Sequence, residues 1–203
     1  YINPAGARAV GKSQHDCVGM RCSSLMNTPH CNTSECRVAR AMQSGQVESS
    51  DTIASLASGK LPIRYFGAPL KDAHGNVYGA LEYAVDISEE NKAVAQVEKM
   101  VAAALEGNLS VRGNPADFAS AGFVSLIKGM NNTMDAVVTP LEEVSGTLDL
   151  IAAGDLTSHV KGDYKGMFGH LKDSTNSMVN TLHNLVKNLA EKADTLVSSA
   201  KQL

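Results

Sequence analysis

The sequence predicts an α+β domain, an antiparallel sheet with short helices, followed by an all-α region of parallel coiled-coil helices. Residues 1–88 are rich in Gly, Pro, Ser and Cys and contain short runs of β-favouring residues, whereas strand-like runs disappear from Glu89 onward. Although 43% of the 203 residues are hydrophobic, only 4% are aromatic and none is Trp. That composition favours a modest core plus helices that bury Leu, Val, Met and Ala against one another.

The first region predicts a β-hairpin preceded by a helix. Residues 61–70 and 77–87 are rich in Ile, Val, Tyr and Phe, and residues 71–76 between them hold the Asp, Gly and Asn typical of turns. Residues 36–44 have a helical pattern that Gly45 would end. Residues 46–54 are expected to hold a further strand.

From residue 89 the apolar residues alternate three and four positions apart, which is the spacing of a coiled-coil seam. An ordinary amphipathic helix that packs on its own domain is the alternative. The two apolar series are Met134, Val137, Leu141, Val144, Leu148 and Ile151, and then Leu182, Val186, Leu189, Ala193, Leu196, Ala200 and Leu203.

The helical region contains one unit twice: a helix, a glycine break, a connector of about 15 residues and a second helix. The breaks begin at Gly107 and Gly154, and Val111 and Val160 are expected to hold the connectors down. A connector of that length lets the two helices lie parallel, so pairing with a second copy would bury both seams in a parallel four-helix homodimer. In the second helices, Val124, Ile127, Asn132 and Met134 match Phe168, Leu171, Asn176 and Met178.

The repeated unit resembles the HAMP domain of bacterial chemoreceptors and sensor kinases. Thr139-Pro140-Leu141 resembles the start of its first helix, with Pro140 as an early helix residue, and Gly154-Asp155-Leu156 resembles the opening of its connector. The resemblance implies a divergent HAMP unit at 89–138, which lacks the proline, a HAMP unit at 139–187 and an exit coiled coil at 188–203. The family's glutamate at the start of the second helix is replaced here by residues 164–167, Tyr-Lys-Gly-Met.

The first region resembles a PAS domain. Residues 1–7 resemble its second-strand region, and residues 72–81 with the ending Asp86-Ile87-Ser88 resemble its last hairpin and exit. The resemblance implies a PAS-like sensor over 1–88 that lacks its first strand, so we expect the chain to be a fragment.

Together the two resemblances imply a cytoplasmic signal-sensing and relay segment of a methyl-accepting chemotaxis receptor. Its downstream partner would be a chemotaxis kinase complex, and the whole receptor would be free or membrane-anchored. Two alternatives stay open: a PAS–HAMP segment of a sensor histidine kinase, and a structural zinc-stapled dimerisation module. The residues after 203 would separate the first two, because a kinase needs a phosphorylatable histidine there.

All four cysteines, Cys17, Cys22, Cys31 and Cys36, fall within 20 consecutive residues. Three interpretations fit: four thiolates that bind zinc or an iron–sulfur cluster, a reversible thiol–disulfide switch, or buried structural cysteines. The x4 spacing within each pair is longer than the x2 of zinc ribbons, which weakens zinc and leaves a cluster. His30 is a candidate haem ligand. A flavin is disfavoured, because Cys22 ends a short flavin-like motif without the Asn and Gln that would hold the ring.

Composition and motifs exclude several other classes. The net charge of −3 without a basic stripe argues against nucleic acid, and no run reaches the roughly 18 apolar residues of a membrane span. Phosphate-binding loops and hydrolase motifs are absent from the sequence, which predicts no enzyme. Glu89-Glu90 and Glu142-Glu143 are interpreted as solvated helix surfaces.

Overall fold

The structure, a computed structural model, describes residues 1–201. It divides into two compact units, Tyr1–Gln96 and Val97–Leu203. Leu203, the last residue of the predicted second seam, lies outside the described residues. Within residues 1–201, no helix is both long and apolar enough to cross a membrane.

Four short helices open the first unit: α1, Pro4–Ala9; α2, Gln14–Cys17; α3, Cys22–Met26; and α4, Arg37–Ser44. The expectation of a strand region at residues 1–7 is wrong, because α1 occupies most of that segment. Asn3 caps α1 through its side-chain oxygen, which accepts a hydrogen bond from the Gly6 N–H at 2.7 Å, and Pro4 provides the preset φ of a first helical residue. The predicted helix at residues 36–44 is confirmed as α4, which Gly45 ends in a left-handed conformation.

Three antiparallel strands follow in the order β1–β2–β3: β1, Glu48–Leu56; β2, Gly59–Lys71; and β3, Val77–Asp86. The predicted hairpin is therefore confirmed as β2–β3, and the expected strand in residues 46–54 is confirmed as β1. Asp72 organises the hairpin turn, because its carboxylate accepts the N–H groups of His74 and Asn76, both at 2.8 Å.

The core of this unit lies on the inner face of the sheet, where Ala54, Ile63 and Tyr65 are at most 3% exposed. Met26 and Val38 pack against them from α3 and α4. Helix α4 approaches the sheet so closely at Gly67 that a Cβ there would overlap the Arg37 carbonyl. A side chain at residue 67 would therefore push away the start of α4.

The second unit contains long helices. Helix α5, Ser88–Leu105, begins in the first unit, and α6, Ala121–Ala152, and α7, Gly166–Ala200, follow with a short 3₁₀ turn at Pro115–Asp117. The predicted unit boundaries at 138/139 and 187/188 fall inside continuous helices. Pro140 is accordingly not an early helix residue but a buried residue within α6, where the rest of the helix tolerates its one missing N–H donor.

Few residues of the second unit are fully buried. Ile127, Val160 and Val179 are at most 2% exposed, and Val144 is 7% exposed. Other residues of the predicted seams, in contrast, are exposed in the single chain, with Leu148 at 41%, Leu189 at 60% and Leu196 at 72% exposure.

Candidate sensory site and relay connectors

Three of the four cysteines lie close enough for their charges to interact. Cys22 is the first residue of α3, Cys31 lies in the segment between α3 and α4, and Cys36 is the N-cap of α4. The charges of Cys31 and Cys36 both act on the Cys22 thiol and raise its pKa. Cys17, at the end of α2, is buried. All four are free thiols.

The Cys22 thiol is hydrogen-bonded to Glu82, which reaches it from β3. Although the Cys22 side chain is exposed, desolvation by the surrounding protein, the Glu82 charge and the two neighbouring thiols raise the pKa of Cys22 to about 11. Burial also raises the pKa of Glu82, although the bond from Cys22 opposes that shift. Cys22 is therefore protonated at neutral pH and donates its S–H to the carboxylate.

Tyr65, on the inner face of β2, connects the cysteine-bearing segment to the sheet. Its hydroxyl accepts the Arg37 N–H at 3.1 Å and lies 3.2 Å from the Glu35 carbonyl and 3.0 Å from His30 Nδ1. A phenol carries one proton, so it cannot donate to both the carbonyl and the imidazole at once. The Tyr65 hydroxyl donates to the Glu35 carbonyl, and His30 Nδ1 lies within hydrogen-bond distance of the same phenol oxygen.

The predicted four-thiolate metal site is not assembled. In residues 1–201, no group of three or more His, Cys, Asp or Glu side chains is placed to hold a metal ion. The haem prediction for His30 gains no support either, since Nδ1 of that ring faces Tyr65. Both stay predictions, and in this structure Glu82, Cys31 and Cys36 act on Cys22 through their charges.

The outer face of the sheet is tied to the beginning of α5. Arg64 on β2 binds Asp51 of β1 through two hydrogen bonds of 2.7 and 2.8 Å and reaches Glu90 of α5 at 3.3 Å. Glu90 was interpreted as part of a solvated acidic pair, and this contact corrects that interpretation. Because Arg64 neighbours Tyr65 in β2, one strand contacts both the cysteine side and the exit helix.

The exit from the sheet is short and closely held. The Ser88 N–H donates to Asp86 Oδ1 at 2.8 Å, and the Ile87 N–H donates to the Pro62 carbonyl at 3.1 Å. Ile87 is 5% exposed. The ending predicted from Asp86-Ile87-Ser88 is therefore where β3 stops and α5 starts.

The two connectors leave their helices in the same way. Gly107 and Gly154 have φ of +81° and +91°, a conformation that glycine adopts without strain. The following side chain then turns the backbone: Asn108 Oδ1 accepts the Ser110 N–H at 3.1 Å, and Asp155 Oδ1 accepts the Thr157 N–H at 2.8 Å.

Each connector is also fixed to the next helix by an asparagine that makes a pair of hydrogen bonds with one backbone residue. Asn131 of α6 bonds Gly113 N and O, both at 2.9 Å, and Asn176 of α7 bonds Val160 N and O at 2.9 and 3.0 Å. We call these pairs the asparagine clamps. The predicted match of Asn132 with Asn176 is therefore wrong by one residue.

Burial agrees with the corrected register. Over residues 123–137 of α6 and 168–182 of α7, the buried and half-buried positions coincide when Asn131 is set against Asn176. These positions are Phe123, Val124, Ile127, Met130, Met134 and Val137 in α6, and Phe168, Gly169, Lys172, Thr175, Val179 and Leu182 in α7. Val111 is half-buried, and the position that corresponds to Val160 is Gly113.

Glu143 was interpreted as a solvated residue, but it holds the second connector to α6. Its carboxylate accepts the N–H groups of Lys161 at 2.6 Å and Gly162 at 3.1 Å and the Tyr164 hydroxyl at 2.5 Å. From α7, Lys172 donates to the Gly162 carbonyl at 2.7 Å. The connector thus runs back along both helices, so this part of α6 and α7 are parallel.

Two family models match this chain. Residues 1–92 match the PAS fold, and residues 120–184 match the HAMP domain. The HAMP match covers α6, the second connector and about half of α7, whereas the segment with the first connector lies outside it.

One curated relative of this chain is a chemotaxis protein. The methyl-accepting chemotaxis protein McpB of Pseudomonas aeruginosa is 34% identical over 125 residues, which are 62% of this chain and 18% of that protein. The chain thus spans less than a fifth of that relative.

Two solved structures of light-oxygen-voltage domains are similar over 49% of this chain, each at 20% identity. One is the light state of the blue-light photoreceptor Aureochrome1 LOV, with a TM-score of 0.38 over 78% of its chain. The other, from work on a flavin analogue, has a TM-score of 0.39 over 75% of its chain.

The two domain matches agree with the two units of the fold, an α+β domain and a region of long helices. The chain therefore contains an α+β PAS domain followed by a helical HAMP region.

Proposed function

We propose that this chain is the input and relay part of a chemotaxis receptor, in which the PAS domain detects a stimulus and α5, α6 and α7 carry it onward. The observation that carries the proposal is the order of the matched domains, PAS then HAMP, with β3 leading directly into α5. By analogy with the chemotaxis relative, the output is a kinase complex in the cytoplasm.

The stimulus in this proposal acts on Cys22, Cys31 and Cys36. Those thiols lie beside Tyr65 and Glu82, which belong to the two strands nearest the exit helix. A chemical change among the thiols alters the hydrogen bonds of Tyr65 and so the position of β2. Arg64, the next residue, transmits that movement to Glu90 in the first turn of α5.

The relay in this proposal is a parallel homodimer of two stacked HAMP units. Support for the first unit comes from its left-handed glycine, its side-chain turn and its asparagine clamp, all of which recur in the matched unit. Support for the dimer comes from apolar residues that are exposed at equivalent positions of α6 and α7: Leu126 is 48% and Leu171 is 36% exposed. A second chain that covers these residues forms a four-helix bundle.

A ligand can shift the equilibrium between the two states of the bundle only as far as its affinities for those states differ. An oxidation event likewise shifts the equilibrium only if it changes the energies of the two states by different amounts. Distances between the two chains therefore report the relay directly. A spin label carried by a non-canonical residue at Leu196, which leaves the cysteines native, is measured by double electron–electron resonance in reduced and peroxide-treated protein. We expect one interchain distance that differs between the two states.

Arg64→Gln provides the matched control. Arg64 is partly exposed, so the variant should fold, and its thiols should still react, but the distance at Leu196 should no longer respond. Identical distances in the two states of the unsubstituted protein would refute the relay from the cysteines.

A further inference from the structure

The three grouped thiols have different surroundings, and the difference is visible in their hydrogen bonds. Cys31 Sγ accepts the Thr28 N–H at 3.3 Å and lies 3.4 Å from the Thr28 hydroxyl. Cys22 has the opposite arrangement, because it faces the carboxylate of Glu82. One sulfur is thus solvated by donors and the other by an acceptor.

We propose that Cys31 is the oxidant-reactive thiol of this chain and the site at which a small peroxide forms a sulfenic acid. This inference rests on the proposed role of the cysteines as the sensory input and names the atom on which that input acts.

The reaction follows from general thiol chemistry. A thiolate, rather than a thiol, attacks peroxide, and donors directed at a sulfur stabilise its negative charge. The Cys31 thiolate attacks one oxygen of hydrogen peroxide, so that an S–O bond forms and the O–O bond breaks. The sulfur is oxidised to the sulfenic acid, and the departing hydroxide takes up a proton and leaves as water.

Cys22 is held back for two reasons. Cys22 is exposed, so access does not protect it, but its S–H is bound to the Glu82 carboxylate, and desolvation together with the charges of Glu82, Cys36 and Cys31 raises its pKa to about 11. Two pKa units above an ordinary thiol lower the thiolate fraction at neutral pH about 100-fold.

Cys31 is also well placed to report its own oxidation. It is half-buried and therefore reachable, and it follows His30, whose Nδ1 lies 3.0 Å from the Tyr65 hydroxyl. Thr28, which carries both donors, is 8% exposed and so held in place. A new oxygen on Cys31 has to displace at least one of these donors, which disturbs the segment attached to Tyr65.

The test treats the full chain with hydrogen peroxide at pH 7.5, traps sulfenic acid with dimedone and measures each cysteine by mass spectrometry. Cys31 is expected to react at least about tenfold faster than Cys22. Thr28→Val, which removes the hydroxyl and keeps the N–H, should slow Cys31 without changing Cys22. Glu82→Gln should speed the reaction of Cys22.

Cys31→Ser is the control that removes the fast site. If Cys22 or Cys36 reacts fastest in the unsubstituted chain, or if Thr28→Val and Glu82→Gln leave the rates unchanged, the proposal is wrong. Fast oxidation of Cys31 without a distance change at Leu196 would retain this assignment and refute the proposed relay instead.

Discussion

Residues 106–120 and residues 153–165 both begin after a helix that a left-handed glycine ends, and both are clamped by an asparagine of the following helix. They differ in what else holds them. In the first, Arg112 binds Asp135 of α6 at 2.7 Å and Gly113 takes the place of a buried valine. In the second, Val160 is buried and Glu143 and Lys172 hold the backbone from α6 and α7.

The second connector therefore has contacts to both of its helices that the first connector lacks. Pro115, which corresponds to Gly162, has no N–H and cannot make the bond that Gly162 makes to Glu143. The shared features define the shape of a connector, and the additional contacts define how firmly it is held. We therefore expect the first connector to respond to a stimulus more readily than the second.

The largest predicted effect is at the apolar residues that the connectors bury. Val160→Ala should lower the free energy of unfolding by about 2 kcal/mol, because it removes two buried methyl groups and leaves a cavity. Val111→Ala, at a half-buried position, should cost less than about 1 kcal/mol. Urea unfolding of both variants checks the contrast, and equal costs would show that the two connectors are equally packed.

The asparagine clamps should come next. Asn131→Ala and Asn176→Ala each remove two backbone hydrogen bonds and should each cost about 1–2 kcal/mol. Amide exchange should rise more in the first connector of Asn131→Ala than in the second connector of Asn176→Ala, since Glu143 and Lys172 still hold the latter. Exchange by mass spectrometry over residues 108–116 and 155–163 measures both, and the reverse order would contradict the comparison.

Features that depend on residues close together in the sequence were predicted better than features that depend on distant residues. Turns and helix ends are local, so the hairpin, the end of α4 at Gly45 and the glycine breaks were predicted correctly. Asn3-Pro4 is also a local signal for the start of a helix. It predicts α1, whereas the resemblance to a PAS strand region did not. The sequence match paired Asn132, rather than Asn131, with Asn176. Apolar residues three or four apart fit both alignments of the two helices, and the hydrogen bonds of Asn131 to Gly113 select the correct one.

Contacts between distant residues left no such signal. Glu143 lies 18 residues before Lys161, and a Glu-Glu pair on a helix is normally a solvated surface. The pairing of Cys22 with Glu82 crosses from α3 to β3, which spacing among the cysteines could not show. The clustering of the cysteines did predict a group, but it did not separate Cys17 from the other three.

The smallest predicted effect is the pH dependence of the second connector. The bond from the Tyr164 hydroxyl, with the N–H groups of Lys161 and Gly162, lowers the pKa of Glu143. Because the folded-state pKa lies below the unfolded one, this stabilisation is present above the unfolded pKa. It is lost as the pH falls through the folded pKa.

Glu143→Gln should therefore lower the melting temperature slightly at neutral pH and have no effect in acid, below the folded-state pKa. Glu142→Gln, at the exposed neighbouring position, is the matched control and should change little at either pH. Melting curves recorded from neutral to acidic pH test this, and a difference that grows in acid would contradict the assigned role of Glu143.

The central claim is that both helix–connector–helix units are the same module and pair with a second chain in the same way. Leu126 and Leu171 occupy equivalent exposed positions, so each is labelled separately with a non-canonical spin label and measured by double electron–electron resonance. The account predicts a single, short and similar interchain distance at both residues. A short distance at Leu171 with none at Leu126 would contradict it, because only the second unit would then form the paired bundle.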